Sequence, residues 1–187
     1  MIEWIILIVL IVLILVILLA IFWGYYNRII TYENRIDNSW AQIDVQMKRR
    51  ADLIPNLIET VRGYMQHERQ TMESVTNARA AIMSAKSPQQ TMDANNMLTG
   101  ALKTLFAVAE SYPDLKANQN FLSLQDELTH TEDKIAFARQ HYNDSVLSFN
   151  NAIETFPGVY FARRLHKTAR EMLAVPEASK EVPKVKF

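Results

Sequence analysis

The chain has 187 residues, 20 Lys and Arg against 20 Asp and Glu, and no cysteine. Those figures exclude disulfides, thiolate catalysis and Cys-ligated metals, and zero net charge provides no global attraction to nucleic acid. Four glycines leave no room for a glycine-rich phosphate loop, and the Ala, Leu, Gln, Glu, Lys, Arg and Met content favours an all-α fold.

The first element is Trp4–Trp23, WIILIVLIVLILVILLAIFW, which holds no charge, proline or glycine. Twenty helical residues at ~1.5 Å each reach ~30 Å, the thickness of a bilayer's hydrocarbon core. Inside lipid a helix satisfies every backbone N–H and C=O, so the stretch predicts a transmembrane helix in contact with membrane lipid. Trp4, Phe22, Trp23, Tyr25 and Tyr26 mark its ends, where amphipathic rings favour the headgroup layer. A cleavable signal peptide fits less well. No basic residue precedes the run, and AIFWGYYNRII contains no small-x-small cleavage site.

Arg28 and Arg35 follow the run, while only Met-Ile-Glu precedes it. The positive-inside rule then expects a cytoplasmic soluble domain, with a periplasmic one as the alternative. From Tyr26 onward Ile29, Ile36 and Ile43 recur every seven residues, with Trp40 and Met47 four after the last two. That is one apolar stripe on a helix continuing out of the membrane. Pro55 removes a helical hydrogen bond and clashes with the preceding turn, so the helix is expected to kink or stop at residues 51–54.

A second helix is expected over about 55–85, with Leu57, Ile58, Val61, Met65, Met72, Val75, Arg79 and Ile82 on one stripe. Ser87-Pro88-Gln89-Gln90 reads as a capping box opening a third helix to Ser111, with Met97, Leu98, Leu102, Leu105, Phe106 and Ala109 inward. Tyr112-Pro113-Asp114 is a turn. In the fourth helix Phe121, Leu128, Ile135, Tyr142, Phe149 and Phe156 keep strict seven-residue spacing. Leu124, Thr131, Ala138, Ser145 and Ala152, mostly small, lie three after the first five. The pattern suits close helix packing in one core or, alternatively, a seam with a second subunit. Phe156-Pro157-Gly158 ends the helix. Beyond it VYFARRLHKTAREMLA is expected as a short basic helix and PEASKEVPKVKF as an extended tail. Its net positive charge is suited to a solvated terminus or to anionic lipid.

The division is therefore a 1–25 anchor, a 26–157 antiparallel bundle of about four helices, and a 158–187 basic helix and tail. No catalytic constellation emerges. Glu127-Leu-Thr-His130 has the Glu-x-x-His spacing of carboxylate-bridged di-iron bundles but lacks the second copy such sites need. His67-Glu68 lacks the second His of a zinc helix, so no metal and no cofactor is expected. Asp52 and Asn118 have the chemistry of helix caps. As the sharper alternative, Arg49, Arg50, Asp52 and Asn56, with Asn118 and Asn120, form a polar joint or a surface for assembly and protein partners.

The run from Trp40 to Tyr64, WAQIDVQMKRRADLIPNLIETVRGY, resembles the LemA family. So do His67-Glu68, Ala78-Arg79-Ala80, YPDLKANQNF from Tyr112 to Phe121, Tyr142-Asn143 and Phe156-Pro157. The resemblance implies a bacterial inner-membrane, single-pass protein with a long antiparallel helical bundle, in a family that includes magnetosome-associated relatives. It carries over no catalytic residue and no cofactor. The stretch after Phe156-Pro157 departs from the family's more apolar pattern, reading Ala162-Arg-Arg-Leu-His-Lys-Thr. The function expected is a non-enzymatic membrane scaffold or oligomeric organiser, with the seam above as the contact of a homo-oligomer. A membrane-tethered adaptor or sensor and a metal-dependent bundle enzyme stand as alternatives.

Overall fold

A computed structural model of the chain describes residues 1–174. Among them are six helices and no strand: α1 Ile2–Arg62, α2 Arg69–Ser84, α3 Pro88–Ala109, α4 Pro113–Lys116, α5 Gln119–Glu154 and α6 Gly158–Arg164. The expected PEASKEVPKVKF tail lies outside the described residues.

The fold is all-helical as expected, with six helices where about four were predicted. α1 is 61 residues long, and the opening stretch is long and apolar enough to cross a membrane. Every residue from 1 to 24 is exposed, so this part of α1 adds nothing to a protein core.

Of the kink or stop expected at residues 51–54, the stop does not occur: α1 runs on through Pro55 to Arg62. Proline's fixed φ near −65° is itself helical, so its main cost is the N–H it cannot give to the carbonyl four residues back. That carbonyl belongs to Ala51, and the Nε of Arg79 donates to it at 2.9 Å. A side chain from α2 thus replaces the missing backbone donor. The helix ends instead at Gly63, where the Tyr64 and Met65 amides both donate to the Val61 carbonyl. The predicted 55–85 helix is accordingly divided between the end of α1 and α2.

Other local signals are met closely. The Ser87 side chain accepts from the Gln90 amide with Pro88 in the first turn of α3, and Gln90 Oε1 accepts from the Lys86 amide, one residue earlier than in a standard capping box. A single turn, α4, replaces the predicted Tyr112–Asp114 turn. Asn118 Oδ1 accepts from the amides of Asn120 and Phe121 at 2.9 and 3.1 Å, so it caps α5.

The chain divides into two compact units. The first comprises Met1–Asn38 and Tyr142–Met172. Its core uses Ile29 and Ile36 of α1, Tyr142, Val146, Phe149 and Ile153 of α5, and Ala162 of α6. Glu33 receives Lys167 Nζ at 2.5 Å and Arg170 Nη2 at 3.3 Å, and the Asn150 amide exchanges two 2.9 Å hydrogen bonds with the Arg170 backbone. The basic helix expected over 159–174 is only Gly158–Arg164, and Lys167 and Arg170 belong to this packed unit rather than to a solvated terminus.

The second unit comprises Ser39–His141 and, of the described residues beyond Met172, Leu173 and Ala174. α2 and α3 pack together across the short connection at residues 85–87. The core takes Ile43, Met47, Ile54, Leu57 and Val61 from α1, Val75 and Ile82 from α2, Leu98, Leu102 and Leu105 from α3, and Phe121, Leu128 and Ile135 from α5. Each such side chain, fully buried, contributes about 1.5–3 kcal/mol. Five of the six large residues at seven-residue spacing on α5 are buried as predicted. Phe156 is not: α5 ends at Glu154, and Phe156 is 81% exposed. Met97, expected inward, is also exposed.

Candidate functional site

The series Ile29, Ile36, Ile43 has two further members at the same spacing, Arg50 and Leu57. All five are buried, so the helix period that buries isoleucines also carries a guanidinium inside. Arg50 is only 3% exposed. On α3 the inward positions Thr91, Asn95, Leu98 and Leu102 follow three- and four-residue steps, which brings Asn95, 1% exposed, to face it. Glu132 comes from α5 beside buried Thr131.

These groups form one connected cluster. Arg50 Nη1 donates to Asn95 Oδ1 at 2.7 Å, to Thr99 Oγ1 at 3.0 Å and to the Glu132 carboxylate. Asn95 Nδ2 also donates to Glu132 Oε2 at 3.3 Å. The Thr99 hydroxyl has one proton, which either Glu132 Oε1 or the Asn95 carbonyl accepts, at 3.2 and 3.0 Å. Glu132 keeps about a third of its side chain in solvent, at 32% exposure against 4% for Arg50. Burial pulls the Arg50 pKa below its ordinary value, and the Glu132 charge opposes that fall. Arginine stays protonated under both influences, so the cluster holds a permanent cation. Arg50 Nε and Gln46 Oε1, one turn apart on α1, are both buried and have no hydrogen-bond partner among the described residues.

Chemically, the cluster is a positioning device. A planar guanidinium whose donors must meet a carboxylate, an amide and a hydroxyl fixes the register of α1, α3 and α5 more narrowly than aliphatic packing does. Arg79 does similar work between α2 and α1 through the Ala51 carbonyl.

The residues singled out from the sequence are dispersed. Arg50 is the centre of the cluster, and its partners are Asn95, Thr99 and Glu132 rather than Asp52 or Asn56. Arg49 is on the surface, paired with Glu127 at 3.4 Å. Asp52 and Asn56 are exposed, and the Asn56 carbonyl accepts from Thr60 within its own helix. Asn118 caps α5 and donates to the Tyr64 hydroxyl at 3.2 Å, and Asn120 is exposed. Asn95, Thr99, Glu132 and Arg79 were not anticipated as site residues. The seven-residue series through Arg50 and the place of Arg79 on an otherwise apolar stripe are the signals that point to them. His67 and His130 are exposed, and among the described residues no cluster of three or more His, Asp or Glu is arranged to hold a metal.

Comparison with known proteins places these observations in a family. The model of the LemA family matches residues 39–187, so the match starts where the second unit starts and leaves out the apolar run. Protein LemA of Metamycoplasma hominis is 29% identical over 140 residues, covering 73% of this chain and 63% of that protein. Magnetosome protein MamQ of Magnetospirillum gryphiswaldense is 23% identical over 163 residues, covering 73% of this chain and 60% of that protein. The match thus spans somewhat less than two thirds of the length of either relative. With most of its length inside the family match, and with the helices and polar ties that its WAQIDVQMKRRADLIPNLIETVRGY and YPDLKANQNF segments build, the chain belongs to the LemA family.

Proposed function

We propose that the chain is a single-pass membrane protein whose helical units serve as a non-enzymatic scaffold at a bacterial inner membrane, on its cytoplasmic face. The observation that carries the reading is the run at residues 4–23, wholly aliphatic or aromatic and wholly exposed. Left in water it would be an apolar patch far larger than soluble monomers tolerate. In a bilayer its fifteen or so central Leu, Ile and Val residues favour insertion by about 0.3–0.6 kcal/mol each, on the order of 5–10 kcal/mol together. Arg28 and Arg35 after the run favour the cytoplasmic side. The interior polar groups are spent on helix register, which suits a body that keeps its shape for partners or for copies of itself. A homologue named as a magnetosome protein is compatible with such a role.

The test uses full-length protein in a bacterial host. Retention in the membrane pellet after alkaline carbonate is expected, and release into the supernatant would overturn the span. The chain has no cysteine, so Ser123→Cys offers a single thiol at an exposed position. A membrane-impermeant maleimide is expected to label it only after lysis, and labelling of intact spheroplasts would reverse the orientation. Sedimentation in detergent is expected to give a dimer or larger species. Monomer at every concentration would remove self-association from the reading.

A further inference from the structure

We propose that α6 and the cleft beside it form a second membrane contact, a ledge of aromatic rings and arginines that seats in the headgroup layer and binds anionic phospholipid headgroups. The inference rests on the reading that residues 4–23 span the bilayer.

Phe161 fixes the ledge's level. Its ring lies edge-on to Phe22 and stacked on Tyr25, each at 5.5 Å between centroids. Phe22 is in the last turn of the apolar run, so α6 is held where hydrocarbon gives way to headgroups. Arg28 is five residues beyond Trp23, about 7.5 Å further along the helix, which matches the depth of a headgroup layer.

The residues at that level have interfacial chemistry. Phe156 and Tyr160 are 81% and 64% exposed and pack against each other edge-to-face at 6.0 Å. Among the described residues no core side chain covers them, and an amphipathic interface is the environment that favours such rings. Residues 155–170 contain four Lys and Arg and no acid. Lys167 and Arg170 are taken by Glu33, which leaves Arg163 and Arg164 exposed on α6. Arg28 adds a third exposed cation, its guanidinium 5.4 Å from the Tyr32 ring centre. Glu154 and Glu171 flank this stretch in sequence, two acids against the three exposed arginines Arg28, Arg163 and Arg164, so the balance stays positive. Between these groups is an open cleft of about 380 Å³, lined by Tyr25, Arg28, Tyr32, Asn151, Thr155 and Phe156. An arginine, two phenols, an amide and two hydroxyls, Thr155 and Ser148, under an aromatic rim suit a phosphodiester headgroup rather than an apolar ligand. Continuity with the apolar run and the sign of the charge both select an anionic lipid surface.

The experiment reconstitutes the full chain in vesicles of phosphatidylcholine, with and without phosphatidylglycerol. Tyr160→Cys carries a small aromatic fluorophore, and Leu13→Cys carries the same label in a second sample. Lipids bearing a nitroxide in the headgroup are expected to quench position 160, and lipids bearing it deep in the acyl chain are expected to quench position 13. Phosphatidylglycerol is expected to raise quenching at 160 in a salt-sensitive way, and each of Arg28→Gln, Arg163→Gln and Arg164→Gln to reduce that increment. Quenching at 13 with none at 160 overturns the ledge while the span stands. No quenching at 13 overturns the span and the ledge with it. Quenching at 160 that ignores phosphatidylglycerol overturns the recognition of anionic headgroups.

Discussion

Pro55 and Arg79 are 24 positions apart in sequence, yet one supplies the hydrogen bond the other takes away. Proline leaves the Ala51 carbonyl without its helical donor, and Arg79 Nε fills the vacancy at 2.9 Å. Arg79→Met should therefore orphan a partly buried carbonyl and cost about 1–3 kcal/mol in urea unfolding. Pro55→Ala returns a backbone donor to the same carbonyl, so Arg79→Met should cost about 1 kcal/mol less in that background. Equal costs in both backgrounds would sink the account. The Arg50 cluster allows a sharper test, because its two charges differ in access to water. Removing Arg50 leaves Glu132 able to hydrate, whereas removing Glu132 leaves a cation at 4% exposure with only neutral acceptors. Glu132→Leu is expected to cost about 3 kcal/mol or more and Arg50→Met roughly half that. The reverse order would mean that the carboxylate, not the guanidinium, is the costly charge to strand.

At the scale of elements, α6 and the segment after it owe their course to one backbone angle. His166 adopts φ 53°, and the Lys167 and His166 amides donate to the Ala162 and Arg163 carbonyls. This is a Schellman ending with histidine in the left-handed position usually given to glycine. It turns the chain so that Lys167 and Arg170 reach Glu33. Gly158 at the other end of α6 is fixed by space, since a Cβ there would come within 1.9 Å of the Ala152 carbonyl oxygen. The hydrogen bond from Lys167, more than any other influence, holds the Glu33 carboxyl below its ordinary value, although burial works against it. A carboxylate whose folded pKa is depressed stabilises the fold above its unfolded pKa of 4.5, and that contribution is lost as pH falls through the folded value. Glu33→Gln should therefore melt below the parent chain at pH 7, by about 1–2 kcal/mol, and the gap should close as pH falls below 4.5. A gap that stays constant down to pH 3 would separate Glu33 from the acid sensitivity. None of this was legible from the basic run at residues 163–170, because the acid that meets it is more than 130 positions away.

For the whole molecule, what could be read in advance was what depends on neighbours in sequence. The apolar run, the Ser87 and Asn118 caps and five of the six α5 positions all follow from local pattern. The partners of Arg50, Arg79 and Glu33 do not, since each tie joins residues 28 to 137 positions apart. That α1 does not stop before Pro55 has the same reason: proline's local cost is real, but the donor that offsets it is remote in sequence. The exposure of residues 1–24 leads to a last expectation. Among the described residues, nothing buries residues 1–20, so they add nothing to the core. A chain lacking residues 1–20 keeps Phe22, Tyr25 and their ring contacts with Phe161. It should move to the soluble fraction and lose far-ultraviolet helical signal in proportion to the residues removed. Its urea unfolding free energy should stay within about 0.5 kcal/mol of the full chain in mild detergent, as for a surface change away from packed groups. A loss of several kcal/mol would mean that the run is covered by protein after all, for example by a second copy of the chain, and that its membrane role must be reconsidered.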